Sequence, residues 1–228
     1  FRQSSFPEFI VGNRRPRFNA STGTSTAPAY LPARRRNTLS PWYSQSETVA
    51  DNLSQHQKWS CWQEDVISLR RAVDHLEADV PPHHRRNIVL VEIHDNDVAS
   101  WSAEDSRRLL GCKYLNLSQN DLRSCGGFEA VAALQELEML DVSSNDIASV
   151  DGVTSTSLTW LNLAGNDLIR LVNFGPLPSL VYLDLSSNDI LDLNGLLSST
   201  GKTSLVPKLE ALDISNNNLK SNGGALNG

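Results

Sequence analysis

One eleven-residue pattern returns six times between Ile88 and Leu219, and it constrains the fold more than any other feature of the chain. Its copies begin at Ile88, Cys112, Leu137, Leu158, Leu180 and Leu209, with apolar residues at the first, fourth, sixth and eleventh positions, LxxLxLxxNxL. The ninth position is asparagine in every copy: Asn96, Asn120, Asn145, Asn166, Asn188 and Asn217. Successive asparagines stand 24, 25, 21, 22 and 29 residues apart. A unit of that size cannot bury its apolar face alone, so the copies must stack and share one continuous core.

Within each copy the apolar residues alternate with the period of a strand. Leu161 and Leu163, like Leu183 and Leu185, therefore point into the core while their neighbours point away from it. The asparagine falls where the strand turns off, and a side-chain amide with donors and acceptors can satisfy the backbone groups that the bend strips from the ladder. A second apolar series follows it: Ile147 and Val150, Leu168 and Leu171, Ile190 and Leu193. That spacing predicts short turns or 3₁₀ pieces on the far side rather than long helices.

The six copies resemble the leucine-rich-repeat family, over roughly the last three-fifths of the chain. They are most similar to its short intracellular class, which includes the regulatory repeat subunit of protein phosphatase 1 and axonemal dynein light chain repeat proteins. The resemblance implies an α/β solenoid with a short-strand parallel sheet on its concave face, and a role in holding partners rather than in catalysis.

A solenoid needs its first coil covered. Ser60-Cys-Trp-Gln63 reads as a capping box, and Val66, Leu69, Val73 and Leu76 lie at helical spacing until Pro81-Pro82, so a capping helix is expected over residues 62–79 of a 59–82 cap segment. The repeat domain is expected over 87–222, at least six repeats long, with 223–228 a tail or the start of further chain. No comparable cap follows Leu219, so further repeats or a partner are expected to cover that edge. A chain that opens on Phe1 reads as a piece of a longer one.

Stacking turns each outward strand slot into a column. The third slot gives Leu90, Tyr114, Met139, Trp160, Tyr182 and Ala211; the fifth gives Glu92, Asn116, Asp141, Asn162, Asp184 and Asp213. The seventh is small: His94, Ser118, Ser143, Ala164, Ser186 and Ser215. An aromatic stripe beside an acidic one suits a basic or amphipathic segment of a partner. Candidate contacts are Glu92, Tyr114, Met139, Asp141, Trp160, Tyr182, Asp184 and Asp213. The competing reading is that the aromatic residues pack only against one another across the sheet.

Charge is divided unevenly. Residues 1–46 carry seven Arg against one acid, Glu8, whereas residues 87–228 carry eight Lys and Arg against eighteen acids. The first fifty or so residues show neither strand nor helix period, so residues 1–58 read as an extended basic arm that orders only by lying along another surface. Its candidate anchors are Phe6, Phe9, Trp42 and Tyr43, with Arg14, Arg15, Arg17, Arg34, Arg35 and Arg36 meeting an acidic host such as the tubulin lattice. Nucleic acid fits poorly, because the acidic body would be repelled by phosphates. Thr38 and Ser40 sit in segments shaped like kinase sites.

Three cysteines, Cys61, Cys112 and Cys125, form no CxxC pair and leave an odd count, which points to a reducing compartment; the sequons at Asn19, Asn52 and Asn116 are then chance matches. There is no apolar run of about 18 residues that could span a bilayer. Asp141 and Asp184 lie two coils apart, roughly 10 Å by strand spacing, on an open sheet with no nucleophile or metal cluster, so neither catalysis nor a cofactor is expected. Gly195 to Thr203 imitates a P-loop with one residue too many between its glycines. His83-His84-Arg85-Arg86 reads as a solvated turn. Together these features suggest a cytoplasmic scaffold of a cytoskeletal assembly, a ciliary or flagellar doublet microtubule foremost. The alternatives are a regulatory subunit that grips a phosphatase, motor or other enzyme, and a ribosome-associated protein.

Overall fold

The computed structural model describes residues 57–61, 66–123, 129–198 and 200–219. Seven three-residue strands form one parallel sheet in chain order: β1 (Lys58–Ser60), β2 (Leu90–Glu92), β3 (Tyr114–Asn116), β4 (Met139–Asp141), β5 (Trp160–Asn162), β6 (Tyr182–Asp184) and β7 (Ala211–Asp213). The register puts third slot on third slot throughout, as in Met139 opposite Trp160 and Trp160 opposite Tyr182. Connections carry little helix: α1 (Leu69–Asp79), α2 (Ala103–Arg108), α3 (Glu129–Ala132) and 3₁₀ turns at Arg85–Asn87 and Asn194–Leu196. The leucine-rich-repeat solenoid expected from the sequence is the fold.

The two faces of the sheet have separate apolar clusters, as strand alternation requires. Fourth- and sixth-slot residues, such as Leu140, Val142, Leu161 and Leu163, join the main core with Val150, Leu168, Leu171 and Phe174 from the far side. The third-slot residues Leu90, Met139 and Trp160 form a second cluster, with Tyr114 and Tyr182 packed against it.

Each asparagine stitches two coils. The Asn166 amide donates to Val142, Leu163 and Ala164 carbonyls at 3.1, 2.9 and 3.4 Å, while its oxygen accepts the Ile147 N–H at 3.0 Å. Asn120, Asn145, Asn188 and Asn217 repeat the same four-bond pattern on their own coils. The residue just before each asparagine is left-handed: Asp95, Gln119, Ser144, Ser187 and Asn216 have φ of 54–56°, and Gly165 has 66°. Only Gly165 adopts that conformation without a Cβ penalty.

The N-terminal end differs from the sequence expectation in two respects. The helix is α1, Leu69–Asp79, not 62–79, and its N-cap is Ser68, whose hydroxyl accepts the Arg71 N–H at 3.3 Å. Ser60 lies in β1 instead of capping a helix. The reason is backbone satisfaction: β1 pairs in parallel with β2, and Asn96 of the first full repeat reaches back to the Cys61 carbonyl and the Val66 N–H. A seventh, degenerate coil therefore precedes the six read from sequence. Along the chain its third, fourth and sixth slots are Lys58, Trp59 and Cys61, and Glu64 falls at the asparagine position, which hid it from a search for Asn.

Helix α1 closes the end of the core with Leu69, Ala72, Val73 and Leu76. The Trp59 indole N–H donates to Asp79 at 3.1 Å, tying β1 to the end of α1. Arg108 of α2 meets Asp74 at 2.6 Å and Glu77 at 3.0 Å, and its hydrogen bond to Glu77 holds that carboxyl below its ordinary range. Arg85 of the His-His-Arg-Arg turn donates to the Glu77 and Val80 carbonyls, so the segment is a helix-to-strand turn. At the other end Leu212 of β7 is 38% exposed and Leu219 is 40% exposed.

Candidate functional site

The open face of the sheet carries three columns, and the parallel register sets them side by side. Leu90, Met139 and Trp160 are 1%, 6% and 2% exposed although they point away from the core. Trp160 and Tyr182 stack at 5.3 Å between centroids and 8° between planes, a geometry worth about 0.5–1.5 kcal/mol beyond area burial. Tyr114 and Tyr182 are half-buried, and Ala211, at the last strand, is exposed. Burial raises the phenol pKa of both tyrosines above the ordinary value.

The fifth-slot column has a structural task that the sequence reading gave only to binding. Its side-chain oxygen accepts the N–H two residues on, from Asn116 to Ser118 and Asp141 to Ser143 at 2.9 Å each, and from Asn162 to Ala164 at 3.0 Å. Asp184 and Asp213 do the same to Ser186 and Ser215. Asp or Asn at this slot bends the chain out of the strand, as an Asx turn does, which explains why every position of the column after Glu92 is one or the other. The second carboxylate oxygens are engaged as well: Asp141 accepts the Asn162 amide along the column at 3.3 Å, and Asp184 accepts the Tyr182 hydroxyl from the neighbouring column at 3.3 Å. Burial pushes the Asp141 carboxyl up to about 6, against the hydrogen bonds from Ser143 and Asn162 that lower it. Glu92 and Asp213 are half-exposed.

Every open-face residue nominated from sequence, from Glu92 to Asp213, therefore stands in one of two adjacent columns. Phe6, Phe9, Arg14, Arg15, Arg17, Arg34, Arg35, Arg36, Trp42 and Tyr43 lie outside the described residues, as do Thr38 and Ser40.

A further acidic row was missed. The residue after the repeat asparagine is Asp97, Asp121, Asp146, Asp167 and Asp189 in five successive coils, half-exposed or exposed along the edge where the strand has turned away. The signal was present as the dipeptide Asn-Asp, and attention to outward strand slots alone passed over it. With the fifth slot it gives the body two acidic lines.

Other sequence features resolve structurally. Asn116, the one sequon asparagine among the described residues, is 6% exposed and held in its turn. Cys61 and Cys112 are buried, and burial pushes the Cys112 thiol up to about 12. Gly195 sits in a 3₁₀ turn against the Leu171 carbonyl, not in a phosphate loop that opens a helix. Among the described residues no helix is long and apolar enough to cross a membrane, and no three His, Cys, Asp or Glu side chains are grouped to hold a metal ion.

Two family models described as leucine-rich repeat match residues 135–190 and 207–226. The crystal structure of the TLR13-ssRNA13 complex is 26% identical with a TM-score of 0.57, covering 72% of this chain and 22% of that one. The leucine-rich repeat domain of APL1B is 16% identical with a TM-score of 0.43, covering 79% of this chain and 60% of that one. This chain thus spans about a fifth of the first and three-fifths of the second. No curated protein matches.

Proposed function

We propose that this leucine-rich-repeat chain is a non-catalytic scaffold whose open face grips a basic, amphipathic segment of a protein. The observation that carries the reading is the adjacency of an apolar column centred on Trp160 and an acidic column ending in Asp184 and Asp213. A segment with one aromatic or aliphatic ridge and flanking Lys or Arg would bury the ridge and meet the carboxylates left at the rim. Asp141 and Asp184 each commit an oxygen to the backbone N–H two residues on, a structural use of the carboxylates that supports holding over catalysis.

The larger assembly we propose is cytoskeletal, with an axonemal doublet microtubule as the first candidate and the chain's place in the cytoplasm. The support is the division of charge, because a basic arm suits an acidic lattice while an acidic solenoid is left to dock a neighbour. TLR13 is in complex with single-stranded RNA, but phosphate would be repelled by the two acidic lines here, so RNA is not proposed.

Microtubule co-sedimentation of the full chain against salt tests the assembly. We expect pelleting at low salt that is lost in Arg34→Glu/Arg35→Glu/Arg36→Glu; pelleting unchanged by those substitutions, or none at all, removes the tethering role. Nuclease-sensitive sedimentation from cell extract would place the chain on ribosomes instead.

A further inference from the structure

We infer that the partner segment taken by the open face is an α-helix laid across the strands, with apolar side chains at i, i+4, i+7 and i+11 and a cation at each end, about 16 residues apart. This deepens the proposed function and rests on that reading of the face.

Backbone satisfaction is the first support. A segment that lies on an apolar surface must find a partner for every N–H and C=O it takes out of water. In the fifth-slot column, one side-chain oxygen of Asn116, Asp141, Asn162, Asp184 and Asp213 already accepts the N–H two residues on. The other oxygen of Asp141 takes the Asn162 amide, and that of Asp184 takes the Tyr182 hydroxyl. The amides and carbonyls of the strands point sideways into the parallel ladder rather than out of the face. An extended segment crossing here would leave much of its backbone unpaired. A helix closes its own bonds from residue i to i−4 and needs none from the surface beneath it.

Length is the second. The third-slot column begins with Lys58 on β1 and ends with Ala211 on β7, so its large apolar run covers β2 to β6. Four steps of about 4.8 Å span about 19 Å, which a helix covers in about 13 residues at about 1.5 Å each. A helical turn rises about 5.4 Å, close to the step between coils, so successive turns set one side chain each on successive coils. Side chains on one side of an extended segment recur about every 6.7 Å, and the second already falls between two coils.

Charge placement is the third. Among the described residues, the fifth-slot carboxylate oxygens without a hydrogen bond are those of Glu92 and the second oxygen of Asp213. They stand on β2 and β7, at opposite ends of the column. Five steps of about 4.8 Å separate them by about 24 Å, the rise of about 16 helical residues. Between them Asp141 and Asp184 are bonded internally, so the partner's cations belong at its two ends rather than along its length.

The test measures binding of the full chain to fluorescein-labelled synthetic peptides of about 18 residues, by anisotropy at about 150 mM salt. The first peptide carries Leu or Trp at i, i+4, i+7 and i+11 and an Arg at each end, on an Ala-rich background. The second has the same composition with its apolar and polar residues rearranged to alternate. The third is the first with a central Ala replaced by Pro. We expect the first to bind at least about tenfold tighter than the second, and proline to weaken it about a hundredfold. Glu92→Gln/Asp213→Asn in the chain should weaken the first peptide by about threefold or more. A second peptide that binds as tightly as the first, or a third that does, overturns the helix and leaves the proposed function standing. Affinity unchanged by Glu92→Gln/Asp213→Asn overturns the placement of the cations. Binding by none of the three removes the proposed function, and the helix with it.

Discussion

Asp141→Asn should stabilise the protein at neutral pH, although it removes a charge from a proposed binding face. The carboxyl is 3% exposed, and burial pushes it from an ordinary 3.8 up to about 6. A folded-state value above the unfolded one means that the folded protein holds the proton more tightly. The stability from this group is therefore fully present below pH 3.8 and is lost as pH rises through about 6. At pH 7.5 the deprotonated side chain costs about 3 kcal/mol as an upper figure, at 1.36 kcal/mol per pH unit.

Asparagine keeps the turn. Asn116 and Asn162 occupy the same slot in neighbouring coils and accept the N–H two residues on, as Asp141 does. What is lost is the 3.3 Å acceptance from the Asn162 amide, because a second NH₂ would face it. With about 1 kcal/mol deducted for that bond, the expected gain at pH 7.5 is about 1–2 kcal/mol, falling toward zero at pH 4. Urea denaturation of both proteins from pH 4 to 8 reads the difference directly. A variant less stable than the parent at pH 7.5, with a difference that does not vary with pH, would refute the reasoning and indicate that a cation stands against the Asp141 carboxylate.

Three further outcomes follow from the coil itself. Asn166→Ala strips three donated bonds and leaves the Ile147 N–H without its acceptor, so a loss of about 2–4 kcal/mol is expected, larger than for Asn217→Ala at the half-buried edge, by thermal or urea denaturation. Ser187→Gly relieves a left-handed residue and should gain about 0.5–1 kcal/mol, while Gly165→Val should lose at least as much. Arg108→Ala, which frees Asp74 and Glu77, should cost about 1 kcal/mol and show first as faster amide exchange in α1, the cap it pins.

The solenoid was legible because its code is short-range and repeated: apolar slots, an asparagine at the bend and a period that forces stacking. The same code concealed the first coil, since Lys58-Trp59-Ser60 forms a strand whose coil lacks the diagnostic Asn. Helix α1 was read too long because Ser60 and Gln63 imitate a capping box, and pairing with β2 overrides that local signal. The columns of the open face followed from alternation alone, but their energetics did not. Sequence cannot reveal that a fifth-slot carboxylate spends one oxygen on its own backbone, nor that Trp160 is 2% exposed although it points away from the core. Both depend on what stands opposite across coils.

The most direct test of the central claim, that the open face binds a basic amphipathic segment, uses the chain's single methionine. Met139 lies in the apolar column and is 6% exposed. Its oxidation by peroxide, read by peptide mass, is compared with and without an excess of a synthetic peptide that has one aromatic ridge and flanking Lys and Arg. The account predicts a rate at least about tenfold slower with the peptide present. Equal rates would contradict it.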